Sequence, residues 1–415
     1  MEKISLKNVK KTASLLEGVV FKTPLMKNDF LSNKYGAEIM FKREDLQQVR
    51  SYKIRGAYNK ISSLSNEELS RGVVCASAGN HAQGVAYSCK SKQVYGVIFM
   101  PTPTPNQKVE QVRMFGGEFV EVIMIGDTFD DASNAALNYS RKHKMAFVHP
   151  FDDIKVIEGQ ATIGLELLEQ TTEPIDYLFL PIGGGGLAAG VSSVFKEISP
   201  STKIIGVEPL GAPSMSVSLR NNNNTRLEEI NKFVDGASVQ QVGDLNFSIC
   251  KNTLEKVSTV HEGLVCQTIL ELYNKNAIVV EPAGALTTAV LDQYRDEIKG
   301  KKVVCLISGS NNDITRTEEI KERALLYEGL NHYFIIRFPQ RAGALREFLT
   351  EVLGPKDDIT HFEYSKKHNR NSGPAVVGIE LEKPEDLKAL QDRMKNGNFF
   401  GEYLNESPDL FQFLV

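Results

Sequence analysis

The sequence predicts an α/β protein, on two observations. Short, almost wholly apolar runs alternate with amphipathic helix-like stretches from about residue 36 to residue 308, and a shorter alternation follows a break near residues 326–331. Runs that are apolar at every position indicate strands covered on both faces, which is the pattern of mostly parallel sheet flanked by helices.

The elements follow in order. Residues 38–41, 73–76, 94–100, 118–123, 177–182, 203–207 and 302–307 read as strands. Between them, residues 106–115, 127–143, 156–170 and 188–198 place apolar side chains at helical spacing. More than one sheet fits in this length, so two α/β lobes are expected. Residues 220–226, with four consecutive asparagines, predict a polar loop. After the break, residues 333–338, 360–365 and 375–381 read as strands and residues 343–352 and 385–396 as helices. A β-α-β-β-α order resembles a split βαβ unit. It predicts a division into residues 1–328 and a small α+β domain over residues 329–415 that carries no catalytic-looking cluster.

Composition narrows the function. The 415 residues are 41% hydrophobic and 24% charged, enough for a sizeable core. Acidic side chains number 52 against 48 basic, a net charge of −4, so nothing draws the chain toward nucleic acid or an anionic membrane. No apolar run is long enough to span a bilayer, and the N-terminus lacks the apolar stretch of a signal peptide. The five cysteines show no C-x-x-C spacing, and Cys75, Cys266 and Cys305 sit in apolar runs, which favours buried reduced thiols and a cytoplasmic location. The seven histidines show no metal-ligand spacing, so no metal is expected.

Four loops could carry chemistry. In Ser51-Tyr52-Lys53-Ile54-Arg55-Gly56-Ala57, Lys53 lies between an aromatic and an aliphatic residue; desolvation there would lower its pKa and free a nucleophilic amine. Its bland alternative is a surface lysine at a helix start capped by Ser51. Ser77-Ala78-Gly79-Asn80-His81 follows a buried-type strand and opens a helix, so its N–H groups suit a carboxylate, or Ser and Asn merely cap a turn. Gly183-Gly184-Gly185-Gly186-Leu187 exposes N–H groups before a helix, a phosphate cradle. Gly184-x-Gly186-x-x-Ala189 also fits a loose dinucleotide fingerprint, with Glu208 where a ribose-binding acid could sit. Ser308-Gly309-Ser310-Asn311-Asn312 follows a strand and puts a hydroxyl at a sheet's C-terminal edge, or is an ordinary polar turn. One interpretation takes in all four: an imine-forming lysine, a phosphate cradle, a carboxylate loop and a neutral hydroxyl for a ring nitrogen are what a pyridoxal phosphate enzyme needs to act on an amino acid.

These motifs resemble, in order, those of the biosynthetic threonine dehydratases (threonine ammonia-lyases), with the tryptophan-synthase-β-like fold of type II pyridoxal phosphate enzymes. Ser51–Ala57 is similar to the family's S-[FY]-K-[IL]-R-G-A motif, and Ser77-Ala78-Gly79-Asn80-His81-Ala82-Gln83-Gly84 to its S-[AS]-G-N-H-x-Q-G motif. His149-Pro150-Phe151-Asp152-Asp153, Glu158-Gly159-Gln160 and Glu281-Pro282-Ala283-Gly284-Ala285 fall where the family has them. The resemblance implies pyridoxal 5'-phosphate as cofactor and Lys53 as the catalytic lysine that bonds it and later removes the Cα proton. It implies that Gly183, Gly184, Gly185, Gly186 and Leu187 hold the phosphate. Asn80 would bond the ring hydroxyl oxygen and Ser308 would face the pyridine nitrogen. Ser77, Ala78, Gly79 and His81 would lie along the substrate carboxylate. The implied reaction is β-elimination of threonine to 2-oxobutanoate and ammonia, the committed step toward isoleucine.

Two departures sharpen this. Racemase relatives have a second serine where Ala78 stands, so racemisation should be minor. They also place an acid shortly after Glu-Pro, where this chain has Leu210-Gly211-Ala212-Pro213-Ser214, so divalent metal dependence is not expected. The tail resembles an ACT-like regulatory domain through Phe338-Pro339-Gln340-Arg341-Ala342-Gly343-Ala344-Leu345, with Ala342 where Pro is usual. It implies isoleucine, with valine as a further effector, and a homotetramer is common in the family. Serine dehydratase is the competitor within the fold. A non-catalytic amino-acid sensor would need Lys53, the cradle or Ser308 to be lost, and a nicotinamide oxidoreductase leaves Lys53 unexplained. Residues 150–153 and 237–243 are expected near the substrate from their order alone.

Overall fold

A computed structural model describes residues 4–364, 372–407 and 410–411. The chain forms two compact units, Met1–Ile314 and Thr315–Val415. The boundary therefore precedes residues 328/329 by one helix. The helix Thr317–Glu328 belongs with the tail: Leu330 N donates to Leu325 O at 2.8 Å, and Tyr333 bonds Glu322, so the helix is tied to the strand that follows it.

The first unit holds two sheets. The strands are β1 (Leu25–Lys27), β2 (Glu38–Arg43), β3 (Val73–Ala76), β4 (Gly96–Met100), β5 (Val120–Met124), β6 (Ala146–Phe147), β7 (Tyr177–Pro181), β8 (Lys203–Pro209), β9 (Lys256–Val260) and β10 (Lys302–Ile307). One sheet runs β1-β2-β10-β7-β8-β9, parallel except for β1, and the other runs β5-β4-β3-β6, all parallel. The two lobes expected from sequence are present. β3, β4 and β7 are buried at every residue, which is why they read as unbroken apolar runs. β5 sits at an edge and is half-exposed, so its apolar run is diluted. β1, β6 and β9 were not anticipated: two are only two or three residues long, and β9 is an edge strand with Lys256, Ser258 and Thr259 in it.

Two helices set the position of the first motif. Lys53–Ser62 packs on Ile154–Gln170, and the crossing point is glycine on both sides. A Cβ on Gly159 would lie 2.5 Å from the Gly56 Cα, and one on Gly56 would lie 2.8 Å from the Val156 carbonyl oxygen. Arg55, fully buried, bonds Glu44 at 2.8 and 2.9 Å and Glu166 at 2.6 and 3.0 Å. Lys42 joins the same cluster through Glu166 at 2.5 Å. Each buried charge is thus paired and hydrogen-bonded, which burial demands.

The second unit is one antiparallel sheet. Its strands are β11 (Asn331–Pro339), β12 (Asp358–Tyr364), β13 (Ser372–Glu380) and β14 (Phe400–Tyr403), in the order β12-β13-β11-β14. The strand expected over 360–365 is β12; Ser365 lies outside the described residues. The helix expected over 343–352 is one α-helical turn, Ala344–Glu347, continued by a π-helical turn, Phe348–Val352. Asp386–Asn396 is the second helix, and β14 completes the sheet. Phe334, Phe338, Phe348, Val377, Leu390 and Phe399 form its core.

Candidate active site

The loops named from sequence leave the C-terminal ends of parallel strands, the crevice where open α/β sheets bind ligands. β3 leads into Ser77–Gly79, β7 into the glycines at 183–186, and β10 into Ser308. Further contacts draw them together.

The segment before Lys53 lies along the segment after β10. Tyr52 N donates to Ser308 O at 3.2 Å, Ser310 N donates to Arg50 O at 2.9 Å, and Ser51 forms a β-bridge with Gly309. Lys53 is therefore held beside Ser308, which is only 2% exposed. Lys53 starts its helix with no side chain capping it; Ser51 does not cap, and its buried hydroxyl has no partner. The Lys53 ammonium is half-buried and donates to the Pro150 carbonyl at 2.8 Å. Burial lowers its pKa to about 8, partly offset by the Glu281 carboxylate. The bland reading of Lys53 as a capped surface lysine does not describe this environment.

The loop Ser77–His81 sits against the same helix start. Ser77, Ala78, Gly79 and Asn80 are half-buried, and a Cβ on Gly84 would lie 3.1 Å from the Lys53 carbonyl. The helix Asn80–Lys92 begins at Gly79 with no side-chain cap, although Gly79 N donates to the Ser77 hydroxyl at 3.2 Å. His81 is buried and its Nε2 faces the Val148 carbonyl at 2.9 Å, leaving Nδ1 without a partner. Burial, and secondarily the Lys53 charge, push its pKa down to about 3. The imidazole is therefore neutral with its proton on Nε2, so this loop offers an anion its backbone N–H groups and the Ser77 hydroxyl rather than a histidine cation. His149, whose Nδ1 accepts from Asp152 N at 2.7 Å, is pushed down to about 4, chiefly by burial.

The glycine loop is roofed by the motif around Phe151. Gly185 caps the helix Gly186–Ile198 at φ +91°, a conformation that favours glycine, and no side chain makes a capping hydrogen bond at the helix start. A Cβ on Gly184 would lie 2.1 Å from the Phe151 ring. The Leu187 side chain is buried in the core, so only its backbone is available to a ligand. Asn246 Nδ2 donates to Gly184 O at 2.8 Å and Phe151 O at 3.1 Å. The Asp152 carboxylate accepts from Asp244 N at 3.0 Å and Leu245 N at 3.1 Å, capping the helix Asp244–Thr253 from another segment. Residues 237 and 243 flank the cradle: a Cβ on Gly183 would lie 2.9 Å from the Ala237 Cα, and Gly243 N donates to Gly184 O at 3.1 Å.

Asn80 meets two residues that sequence reasoning left without a role. Its Nδ2 donates to Glu281 Oε1 at 2.7 Å, and its Oδ1 accepts from Asn311 Nδ2 at 2.7 Å. Both lie inside quoted motifs, but only the fold shows what they touch. Burial, then the Asp235 charge, push the Glu281 carboxyl up to about 7. Glu208 does not serve the dinucleotide alternative. It is fully buried, and its oxygens accept from Met215 N at 2.6 Å and Ser216 N at 2.9 Å. Among the described residues no three His, Cys, Asp or Glu side chains gather as a metal site would need. The residues fit pyridoxal phosphate: a bare glycine cradle at an uncapped helix start, a half-buried amine, and a hydroxyl at a strand end lie in one connected set of loops.

Comparison with known proteins decides the family. The family model described as pyridoxal-phosphate dependent enzyme matches residues 16–309, and that of the C-terminal regulatory domain of threonine dehydratase matches residues 322–414. A relative from Halalkalibacterium halodurans, named L-threonine dehydratase biosynthetic IlvA, is 56% identical over 415 residues, covering 100% of both chains. The chain belongs to the biosynthetic L-threonine dehydratase family. A member of that family from Bacillus subtilis is 52% identical over 412 residues, 99% of this chain and 98% of that one. Among solved structures, threonine deaminase isoform 2 from Solanum lycopersicum aligns with a TM-score of 0.72 at 38% identity, over 78% of this chain and 96% of that one. The serine racemase of Dictyostelium discoideum aligns with a TM-score of 0.69 at 34% identity, over 75% of this chain and 99% of that one. As a threonine dehydratase family member, the chain has a type II fold, depends on pyridoxal phosphate, and carries a regulatory domain in its tail.

Proposed function

We propose that this chain is an L-threonine dehydratase that forms 2-oxobutanoate and ammonia, and that Lys53 is its catalytic base. The observation that carries the proposal is the Lys53 amine, half-buried, with its pKa lowered and its hydrogen bond given to a neutral carbonyl, at the junction of the three strand-end loops. Pyridoxal phosphate, when bound, supplies the electron sink that makes the substrate Cα–H acidic.

The chain's residues do the rest. Gly183–Leu187 hold the phosphate through backbone N–H groups at the positive end of the helix Gly186–Ile198. Asn80 would bond the ring hydroxyl oxygen. Ser308 would offer the ring nitrogen a hydroxyl, which cannot keep that nitrogen protonated as a carboxylate would. Ser77, Ala78, Gly79 and His81 line the substrate carboxylate, which backbone N–H groups and the Ser77 hydroxyl would bind in place of a histidine cation. Lys53 Nζ, as a free amine, takes the Cα proton, and the β-hydroxyl leaves the neighbouring carbon with the bonding electrons and gains a proton to become water, which balances the proton lost from Cα. Hydrolysis of the remaining C–N bond gives the 2-oxo acid and ammonia. Ala78 has no hydroxyl to return a proton from the opposite face, which favours elimination over racemisation.

The tail is the sensor in this reading, taking isoleucine and valine as effectors, and the enzyme works in the cytoplasm as a homotetramer. Among the described residues no helix is long and apolar enough to cross a membrane. A screen of threonine against serine, each with and without isoleucine or valine, tests substrate and effector together. Threonine should have the higher kcat/KM, and isoleucine should inhibit. Serine preferred over threonine would move the assignment to a serine dehydratase. One methyl group supplies about 1–3 kcal/mol of discrimination, so both substrates should react measurably.

A further inference from the structure

Asn80 is held from both sides. Its Nδ2 donates to Glu281 Oε1 and its Oδ1 accepts from Asn311 Nδ2, each at 2.7 Å. Asn311 cannot turn its amide to suit a reversed Asn80, because the same Nδ2 also donates to Val49 O at 2.9 Å. A flipped Asn80 would set donor against donor at Asn311 and, with the Glu281 carboxyl ionised, acceptor against acceptor there, leaving buried polar groups unpaired.

Glu281 is itself fixed. It is 5% exposed and precedes the helix Pro282–Ala289, and its backbone N donates to Gly309 O at 3.2 Å. Its carboxyl lies so close to the loop after β10 that a Cβ on Gly309 would be 2.6 Å from Oε1. The carboxyl thus links the loop that carries Asn80 to the loop that carries Ser308.

We propose that Glu281 is a positioning residue for the cofactor: by accepting one Asn80 Nδ2 hydrogen, it fixes the amide so that the second hydrogen is presented to the ring hydroxyl oxygen. This rests on the reading that Asn80 touches the cofactor. Protonated or not, a carboxyl keeps an acceptor oxygen, so glutamine can replace it in this role and alanine cannot.

The test is titration of pyridoxal 5'-phosphate into cofactor-free full-length protein, read as the dissociation constant. Asn80→Ala and Glu281→Ala should each weaken binding about 10-fold, one lost hydrogen bond. The double variant should bind no worse than Asn80→Ala, because Glu281 acts through Asn80. Glu281→Gln should stay within about 3-fold of wild type. Should Glu281→Ala fail to fold, Glu281→Met keeps the volume, removes the acceptor and should show the same loss. If Asn80→Ala weakens binding but removal of the Glu281 acceptor does not, the positioning role is overturned. If the two losses multiply in the double variant, Glu281 acts independently of Asn80 and the role is likewise overturned. If Asn80→Ala binds as wild type does, the reading of Asn80 as a cofactor contact fails, and this inference falls with it.

Discussion

At the scale of single residues, burial sets the chemistry. Lys53 is a usable amine because desolvation lowers its pKa from 10.5 to about 8. Below that pH the folded protein carries an ammonium that cannot attack an aldehyde, and above it a free amine. The rate of cofactor capture by cofactor-free protein should therefore rise with pH and level off beyond a midpoint near 8; stopped-flow absorbance measures it, and a midpoint near 10.5 would contradict the environment described. Glu208 behaves in the opposite sense. Burial pushes its carboxyl from 4.5 up to about 7, so between these values the folded state keeps a proton that the unfolded state has lost. Its contribution to stability is complete below about 4.5 and is lost as pH rises through about 7. Glu208→Gln does not titrate, so its destabilisation relative to wild type should shrink by up to about 3 kcal/mol from pH 4 to pH 8, measured by urea unfolding of cofactor-free protein. A destabilisation independent of pH would mean that Glu208 titrates alike in the folded and unfolded states.

At the scale of elements, the buried parallel strands were legible because burial on both faces leaves nothing but apolar residues to read. Val73–Ala76 and Lys302–Ile307 have the bounds the sequence predicts. The short strands Leu25–Lys27 and Ala146–Phe147 were not legible, since two or three residues carry no period. The motifs were legible as strings, but the work of each letter was not. Arg55 and Gly56 share a motif with Lys53, yet Arg55 pairs with Glu44 and Glu166, and Gly56 lets two helices cross. Such roles depend on partners about a hundred residues away in some cases, such as Gly159. The crossing gives a prediction. Gly159→Ala would force a Cβ to within 2.5 Å of the Gly56 Cα, a backbone atom that cannot move aside. It should cost about 3 kcal/mol of stability, and also weaken cofactor binding because Lys53 begins the displaced helix. Thermal unfolding that matches wild type would show that the helices can separate without loss.

For the molecule as a whole, the break in the apolar pattern near 326–331 was visible, but the unit boundary is at 314/315. The helix Thr317–Glu328 carries little amphipathic signal to show which unit it serves; its contacts with β11 show it. A truncation that tests the sensor should therefore end at Ile314. Cutting near 331 would leave that helix without its strand. The shortened chain should turn over threonine at a rate within about 3-fold of the full chain and lose inhibition by isoleucine, assayed side by side. Inhibition that survives would place the effector site in the catalytic unit. The modest net charge of −4 also finds its place: backbone N–H groups at helix starts can hold a phosphate and a carboxylate without a basic surface.

Whether Lys53 drives dehydration of threonine is decided by assaying cofactor-loaded wild type and Lys53→Ala for 2-oxobutanoate from threonine. The prediction is steady turnover by wild type, and for Lys53→Ala a loss of at least about 1000-fold while the variant stays folded. A wild-type protein that makes no 2-oxo acid, or a Lys53→Ala variant that makes it at the wild-type rate, would contradict it.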